Sequence, residues 1–343
     1  MAHLKGNQWR QSKRALDKKE RAKAKHFGGY EGGIGEGIEF SSDDESARGI
    51  VISSALGKIS LVYGDKQYDS RLNRGVPKEL TKLLGPGDIV TLDADMAVAG
   101  VIERRNVLSR KRRDSTRRSY TGAEEQVIAA NVDVAAIVAS AKNPPLHPKF
   151  IDRYMVLIQH NDIDPVICLS KTDLASEEEL RTLEEYRNLG FTAIEVSNVT
   201  GQGIDQLSNL LRGKTAVLVG QSGVGKTSLI NSIHPTQTFT TGEVSNKSGK
   251  GRHTTTSSSL YKWDEDSYII DTPGIRSLEI WDIDPPELRY YYPEFDPYAP
   301  NCRYSNCSHW NEPIGACAVK QAMADSAISE GRYESYIKIL SEL

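Results

Sequence analysis

The sequence predicts a multidomain chain in three parts: a small N-terminal β-barrel, a central α/β domain and a C-terminal metal-binding segment. Five short strand-like segments punctuated by glycines occupy residues 47–110. From residue 132 onward, continuous apolar runs alternate with helical stretches. Three of the four cysteines crowd beside a histidine near the C-terminus. A length of 343 residues is enough for two or three separate cores.

The chain opens on a basic head, with nine Lys and Arg between Lys5 and Lys25 against Asp17 and Glu20. Residues 28–46 are rich in Gly and Ser and read as a tether. The segments "RGIVISSA", "KISLVYG", "KQYDSRL", "GDIVTLD" and "AGVIERRNVL" follow. Five short strands in so few residues fit an OB-like β-barrel, with an SH3-like barrel as the alternative. A second basic cluster, Arg104, Arg105, Arg110, Lys111, Arg112, Arg113, Arg117 and Arg118, forms a connector. In a chain of net charge −3, two such local clusters point to a polyanionic partner. Solvated linkers are the plainer explanation.

The α/β part begins with "VDVAAIVAS" (132–140), an apolar run suited to a strand buried on both faces. A helix over 149–160, strand 165–170, helix 176–189, strand "FTAIEVS", helix 203–212 and strand "TAVLVG" continue the alternation, as in a mostly parallel sheet. Beyond about Tyr291 the chain turns irregular and Pro-rich and ends in a helix around 317–342. The boundaries are placed at 1–46 for arm and tether, 47–112 for the barrel, 113–290 for the α/β domain and 291–343 for the metal segment and its helix. No apolar run approaches the ~20 residues of a membrane span, and no apolar stretch follows the head as in a secretory signal. The cysteine pattern suits a reducing compartment, with cytoplasm the default and a monomer the expected state.

The chemistry is concentrated in five loops. Gly220, Gln221, Ser222, Gly223, Val224, Gly225, Lys226, Thr227 and Ser228 match the phosphate-loop pattern after an apolar strand and before a helix. Glycines let backbone N–H groups converge on phosphate oxygens at a positive helix end. Lys226 is then the β- and γ-phosphate contact and Thr227 a Mg²⁺ ligand. "YIIDTPGIRS" (268–277) adds Asp271 for Mg²⁺ and the Gly274 N–H for the γ-phosphate. "GRHTTTSSS" (251–259) offers Thr255 as a further Mg²⁺ ligand when the γ-phosphate is present. The bland alternative is an inert polar loop.

Fifty residues before the phosphate loop stands Ser170-Lys171-Thr172-Asp173. A carboxylate at Asp173 accepts both the N1–H and N2 hydrogens of guanine, while the Lys171 stem covers the ring. Adenine lacks that donor pair, and such polar matching discriminates by roughly 10⁴-fold or more. The familiar form is Asn-Lys-x-Asp, so Ser170 departs from it and predicts weaker loop bracing. Ser197 and Asn198 fall where a backbone N–H meets guanine O6, with Asn198 replacing the usual alanine. Base loop before phosphate loop reverses the ordinary order. All these loops leave the same edge of a parallel sheet, so cutting and rejoining the chain preserves the site. The central domain is therefore read as a circularly permuted phosphate-loop GTPase domain.

Cys302, Cys307, His309 and Cys317 make a closed three-thiolate, one-imidazole set for one structural Zn²⁺. The alternative is reduced free thiols with His309 at the surface. Cys168, within a strand, reads as an inert core residue.

Barrel, SKTD, GQSGVGKTS, GRHTTT, DTPG and a Cys–Cys–His–Cys cluster, in that order, resemble the RsgA family of small-ribosomal-subunit-dependent GTPases. The resemblance spans residues 47–330. It implies hydrolysis of GTP to GDP stimulated by the small ribosomal subunit, contact with its rRNA, and a role in late subunit maturation. Ser170, Asn198 and the seven-residue gap between His309 and Cys317 depart from the family's pattern. Residue 275 is isoleucine where many GTPases carry a water-orienting glutamine, which predicts slow intrinsic turnover. His253 in "GRHTTT" is the candidate to position water, a surface histidine its alternative. The rival functions are a phosphate-loop ATPase or kinase and a nucleic-acid-binding module with a vestigial nucleotide site.

Overall fold

The computed structural model describes residues 48–55, 58–77, 80–112, 124–234, 258–272 and 283–343. The head and tether, the connector residues 113–123, and His253, Thr255 and Gly274 lie outside the described residues.

Five antiparallel strands build the barrel: β1 Arg48–Ala55, β2 Lys58–Tyr63, β3 Lys66–Ser70, β4 Ile89–Leu92 and β5 Val98–Val101, in the order β3-β2-β1-β4-β5. The sheet closes where residues just after β3 meet β5 in parallel. Val98 N–H donates to Arg71 O at 2.8 Å and Asn73 N–H to Val98 O at 2.9 Å. Antiparallel pairing with one parallel closing contact, and a short helix Leu80–Leu83 between β3 and β4, is the OB connectivity, which decides against the SH3-like alternative. Alternate residues Ile59 and Leu61 point inward against Val51, Val90, Leu92, Val98 and Leu84, as a period-2 pattern requires.

The fifth strand is shorter than the segment 99–108 suggests. β6 (Val107–Arg112) leaves the barrel and pairs with β7 (Glu124–Ala130) as a separate antiparallel hairpin. Leu108, Ile128 and Ala129 pack into the α/β core instead of the barrel. Arg104 and Arg105 also depart from their sequence role. Arg104 grips buried Asp88 through Nε at 2.6 Å and Nη2 at 2.8 Å, and its Nη2 also donates to Leu83 O. Arg105 pairs with Asp133 at 2.7 Å and donates to Asn131 O at 2.9 Å. Arg104 thus ties the end of the barrel back on itself, and Arg105 joins barrel to α/β domain. Gly87 (φ +91°) is obligatory at this junction, because a Cβ there would stand 2.1 Å from Ala130 O.

The central sheet has the order β10-β9-β8-β11-β13-β12, with β8 Val134–Ser140, β9 Asp164–Ser170, β10 Thr192–Glu195, β11 Thr215–Val219, β12 Ser259–Asp264 and β13 Ser267–Asp271. Every pair is parallel except β12 with β13. All seven residues of β8 are buried, as its unbroken apolar run requires. Ala135, Ile137 and Ala139 face Ile151, Met155 and Ile158 of helix Pro148–His160. Val134, Ala136 and Val138 face Leu207 and Leu211 of helix Ile204–Leu211 and Leu229 and Ile230 of helix Lys226–Ile233. Each buried Val or Ile contributes roughly 1.5–3 kcal/mol, so the middle of the sheet is its firmest part. Burial pushes the Cys168 thiol of β9 up to about 12, consistent with an inert core residue. No described helix is long and apolar enough to cross a membrane.

The single C-terminal helix expected around 317–342 is two, Ala318–Ala324 and Glu330–Leu340. Ser326 takes φ +60°, and Ala327 and Ile328 both donate back to Ala322 O, ending the first helix before the second begins. The second helix docks on Pro148–His160, which is thus covered on both sides. Arg332 ties the two together: its Nη1 bonds Asp152, and its Nε meets Glu294 at 2.7 Å. Tyr186 Oη donates to Asp152 at 2.7 Å, and the guanidinium lies 4.5 Å from the Tyr292 ring centroid.

Arg332 and Asp152 are 6% and 1% exposed, whereas Lys149 and Glu334, paired across the same two helices, are 56% and 53% exposed. Removing one partner of a buried pair strands a charge and costs about 3–5 kcal/mol, while an exposed pair contributes about 0–1. Arg332→Ala should therefore lower the urea midpoint sharply and Lys149→Ala hardly at all. Equal shifts in the two unfolding curves would show that this ion pair does not hold the C-terminal unit in place.

Candidate nucleotide site and metal centre

Because β8, β9, β10, β11 and β13 run parallel, their carboxyl ends share one edge. Ser170–Asp173 follows β9, Ser197 and Asn198 follow β10, Gly220–Ser228 follows β11, and Asp271 ends β13. All the described residues singled out for nucleotide binding meet there, at the place where open α/β sheets bind ligands.

The phosphate loop turns from β11 into helix Lys226–Ile233. A Cβ on Gly220 would stand 2.3 Å from Val138 O, so only glycine lets the loop leave this close to β8. Gly223 and Gly225 take φ +81° and +95°, turning backbone toward the site. Val224 is buried and anchors the loop in the core, whereas Ser222 and Gly223 are exposed. Lys226 Nζ folds back on its own loop, donating to Gly220 O at 2.7 Å and Gln221 O at 2.8 Å. Burial lowers its pKa and the Asp271 carboxylate opposes that; burial raises Asp271 and Lys226 opposes that. The two charges therefore favour one another's ionised form across the mouth of the loop. Asp271 is paired in register with Leu218, and Thr272 Oγ1 donates to Leu218 O at 2.9 Å, fixing the end of β13. Thr227 and Ser228 sit partly buried in the first turn of the helix.

The base loop is braced against the phosphate loop by two side chains. Ser170, buried at the end of β9, donates from Oγ to Val224 O at 2.6 Å. Lys171, at φ +56°, donates from Nζ to Gly223 O at 2.8 Å and to Asn143 O. The weaker bracing expected of a serine is thus countered by a short buried bond and the adjacent lysine. Ser197 Oγ donates to Asp173 Oδ1 at 2.6 Å while accepting from the N–H groups of Val199 and Thr200 at 3.2 Å. Asp173 is held with its second oxygen free of that bond. Thr172 N–H reaches Val196 O at 3.3 Å, joining the two base-side loops. Asn198 Oδ1 accepts from Ser232 Oγ at 2.9 Å. Ser197 and Asp173 were both visible in sequence, but the bond between them was not.

In the C-terminal unit, Cys302, Cys307, His309 and Cys317 bring one ligand atom each to within 4.8 Å of one another. His309 Nδ1 lies 3.6 Å from Cys302 Sγ and 3.5 Å from Cys317 Sγ. A tetrahedral ion with Zn–S of about 2.3 Å and Zn–N of about 2.0–2.1 Å sets those edges at roughly 3.5–3.6 Å, so the donor set fits. Burial holds the His309 pKa down to about 4, keeping the imidazole neutral, and pushes Cys307 up to about 12 in the absence of a cation. A bound metal reverses the latter by favouring thiolate.

Sequence reasoning missed what shapes the long His309–Cys317 gap. Glu312 within it accepts from Ser308 N–H at 2.7 Å and Trp310 N–H at 3.0 Å, and these bonds help hold its carboxyl down to about 2. Tyr333 and Tyr336 donate to the carbonyls of His309 and Ser308 at 2.7 and 2.8 Å. An acid three residues after the histidine was the one signal available.

A model of the RsgA GTPase family matches residues 101–281. A protein of Thermotoga neapolitana named small ribosomal subunit biogenesis GTPase RsgA is 37% identical over 302 residues, covering 86% of this chain and 96% of the relative. Its namesake from Chlorobaculum parvum is 41% identical over 251 residues, covering 73% and 79%. Among solved structures, YjeQ from Thermotoga maritima superposes with a TM-score of 0.67 at 31% identity, over 87% of this chain and 98% of that one. YloQ, described as a circularly permuted GTPase, gives 0.63 at 28% identity, over 88% and 97%. Identity over 96% of the Thermotoga neapolitana relative accords with the permuted loop order seen at the sheet edge, and the chain belongs to the RsgA GTPase family.

Proposed function

We propose that this protein binds GTP at the shared sheet edge, hydrolyses it to GDP and phosphate in response to the small ribosomal subunit, and assists late maturation of that subunit in the cytoplasm. The observation that carries this is the joining of a guanine-reading carboxylate to a phosphate loop: Asp173 aligned by Ser197, with Ser170 and Lys171 bonded to Val224 and Gly223. The names of the curated relatives support the ribosomal partner.

In this reading Asp173 takes the two guanine donors and the backbone near Asn198 meets O6. The phosphate-loop amides and Lys226 take the phosphates, which requires Lys226 to exchange its bonds to Gly220 O and Gln221 O for phosphate oxygens. Thr227 and Thr255 would hold Mg²⁺, with Asp271 through water, and the ion would neutralise charge on the β- and γ-phosphates. Gly274 N–H completes the γ-phosphate contacts. With Ile275 in place of a glutamine, His253 is the group that positions the attacking water when the small subunit is bound. The four-ligand cluster holds one structural Zn²⁺, because its closed set leaves no open coordination position. An ATPase or kinase would share Lys226, Thr227 and Asp271 but would leave Asp173 unmet. A vestigial nucleotide module would not need them together.

Turnover measured with and without purified small subunits tests the activity. Stimulation is expected, and His253→Ala should cut stimulated turnover at least about tenfold with nucleotide affinity nearly unchanged, as loss of a transition-state contact requires. An ATPase would hydrolyse ATP equally well, and equal turnover in the variant would make His253 a surface residue.

Base choice has its own test. Asp173→Asn should shift preference from GTP toward xanthosine triphosphate, whose ring offers an acceptor in place of the N2 donors. Undiminished GTP affinity in competition binding would remove Asp173 from the base site.

For the ion, metal analysis should find about one zinc per chain. Cys307→Ser should lower the stability of the C-terminal unit by several kcal/mol, a fraction of the roughly 10–16 kcal/mol a structural site supplies. Full zinc occupancy with unchanged melting would refute the ligand set.

A further inference from the structure

The two departures from the familiar base motifs, Ser170 and Asn198, act on the same pocket. An asparagine at the first motif position brings an amide, able to brace the phosphate loop and donate elsewhere. Ser170 has one hydroxyl proton, and that proton is committed to Val224 O at 2.6 Å. Asp173 serves only the donor edge of guanine. The opposite edge carries two acceptors, O6 and N7, and a polar pocket that leaves an acceptor unmet loses affinity by the worth of a hydrogen bond.

Asn198 brings an amide back. It directly follows Ser197, the residue that aligns Asp173. Its Oδ1 accepts from Ser232 Oγ at 2.9 Å, on the helix that leaves the phosphate loop. With Oδ1 taken up by Ser232, Nδ2 is the end left open. Nδ2 lies 3.9 Å from the position a Cβ on Gly225 would take, on the phosphate-loop side. Asn198 is exposed, and among the described residues Nδ2 has no hydrogen-bond partner. An oriented donor is thus held between the base loop and the phosphate loop.

We propose that the side chain of Asn198 is a specificity-determining group that donates from Nδ2 to N7 of guanine, supplying the donor that Ser170 lacks. The inference rests on the guanine site of the preceding section. The backbone N–H takes O6 and the side-chain amide takes N7, so guanine is read on both edges. Ser232 acts as a positioning residue, since its hydroxyl tethers the Asn198 side chain between the two loops.

The test is a thermodynamic cycle between side chain and base, using GDP and 7-deaza-GDP with the full-length protein. Wild type should bind 7-deaza-GDP about fivefold more weakly than GDP, the worth of one ordinary hydrogen bond. Asn198→Ala should bind GDP about fivefold more weakly and lose nothing further on 7-deaza-GDP. Asn198→Asp keeps an acceptor for Ser232 but sets a carboxylate oxygen against N7, so it should bind GDP more weakly than the alanine variant and lose nothing further on 7-deaza-GDP. Three results overturn the proposal: a wild type indifferent to the deaza substitution, variants that bind GDP as tightly as wild type, or variants that still lose the full factor on 7-deaza-GDP. If the Asp173→Asn exchange toward xanthosine triphosphate holds while the cycle fails, only the Asn198 assignment falls. If both fail, the guanine site itself is misplaced and the proposal falls with it.

Discussion

The bond from Ser170 Oγ to Val224 O, at 2.6 Å and out of solvent, is the point on which the site depends. It fastens the loop after β9 to the loop after β11, two segments 54 residues apart in the chain. Strand β8 lies between their strands, pairing Ser140 with Ser170 on one side and Ile137 with Val219 on the other. Three parallel strands therefore deliver two loops to the same edge, and the hydroxyl bond sets their spacing. Chain order is irrelevant to that geometry. What must be kept is which strands are neighbours and which way they run, and those are the quantities a circular permutation preserves. The bond also explains why serine is tolerated where asparagine is familiar: bracing needs a single donor in the right place.

Much of this was legible in the residues. The six apolar positions of β8 suit a strand covered on both faces, and every one of them is buried, as is Ser140 at its end. The phosphate loop carries its own context, an apolar strand before it and a helix after. The cysteine spacing announced a tetrahedral set whose edges match zinc. The failures share a cause. Arg104 and Arg105 were counted with a basic surface because composition does not show partners, yet their partners, Asp88 and Asp133, are 16 and 28 residues away. Residues 107–112 continue the alternating pattern of the barrel, and nothing in a period of two says which sheet a strand joins. The split of the last helix depends on Ser326 at positive φ, a conformation that serine does not advertise. Long-range pairing decided each of the first two cases, and a local backbone choice the third.

The C-terminal unit bears on the site through the way it is anchored. Thr272, just past Asp271, is tied to Leu218 O inside the sheet. Ile283 is buried in the C-terminal core with Leu288, Tyr292 and Ile339. Asp-Thr-Pro-Gly thus begins at one fixed anchor, and the stretch after it ends at another eleven residues later. The second anchor is tied to the first through Arg332, which joins the last helix to Asp152 on the helix that packs against β8. Metal cluster, aromatic core and ion pair all hold that anchor: Tyr336 packs within the core and donates to Ser308 O beside His309. A ligand shifts a conformational equilibrium only through unequal affinity for the two states. A γ-phosphate contact at Gly274 would therefore act on a segment whose two ends are already fixed to different units. The free energy of that contact must go into the segment or into the seam between the units, and the buried Arg332 pair makes the seam the costlier of the two to move. Such a contact would then act more on the segment than on the seam.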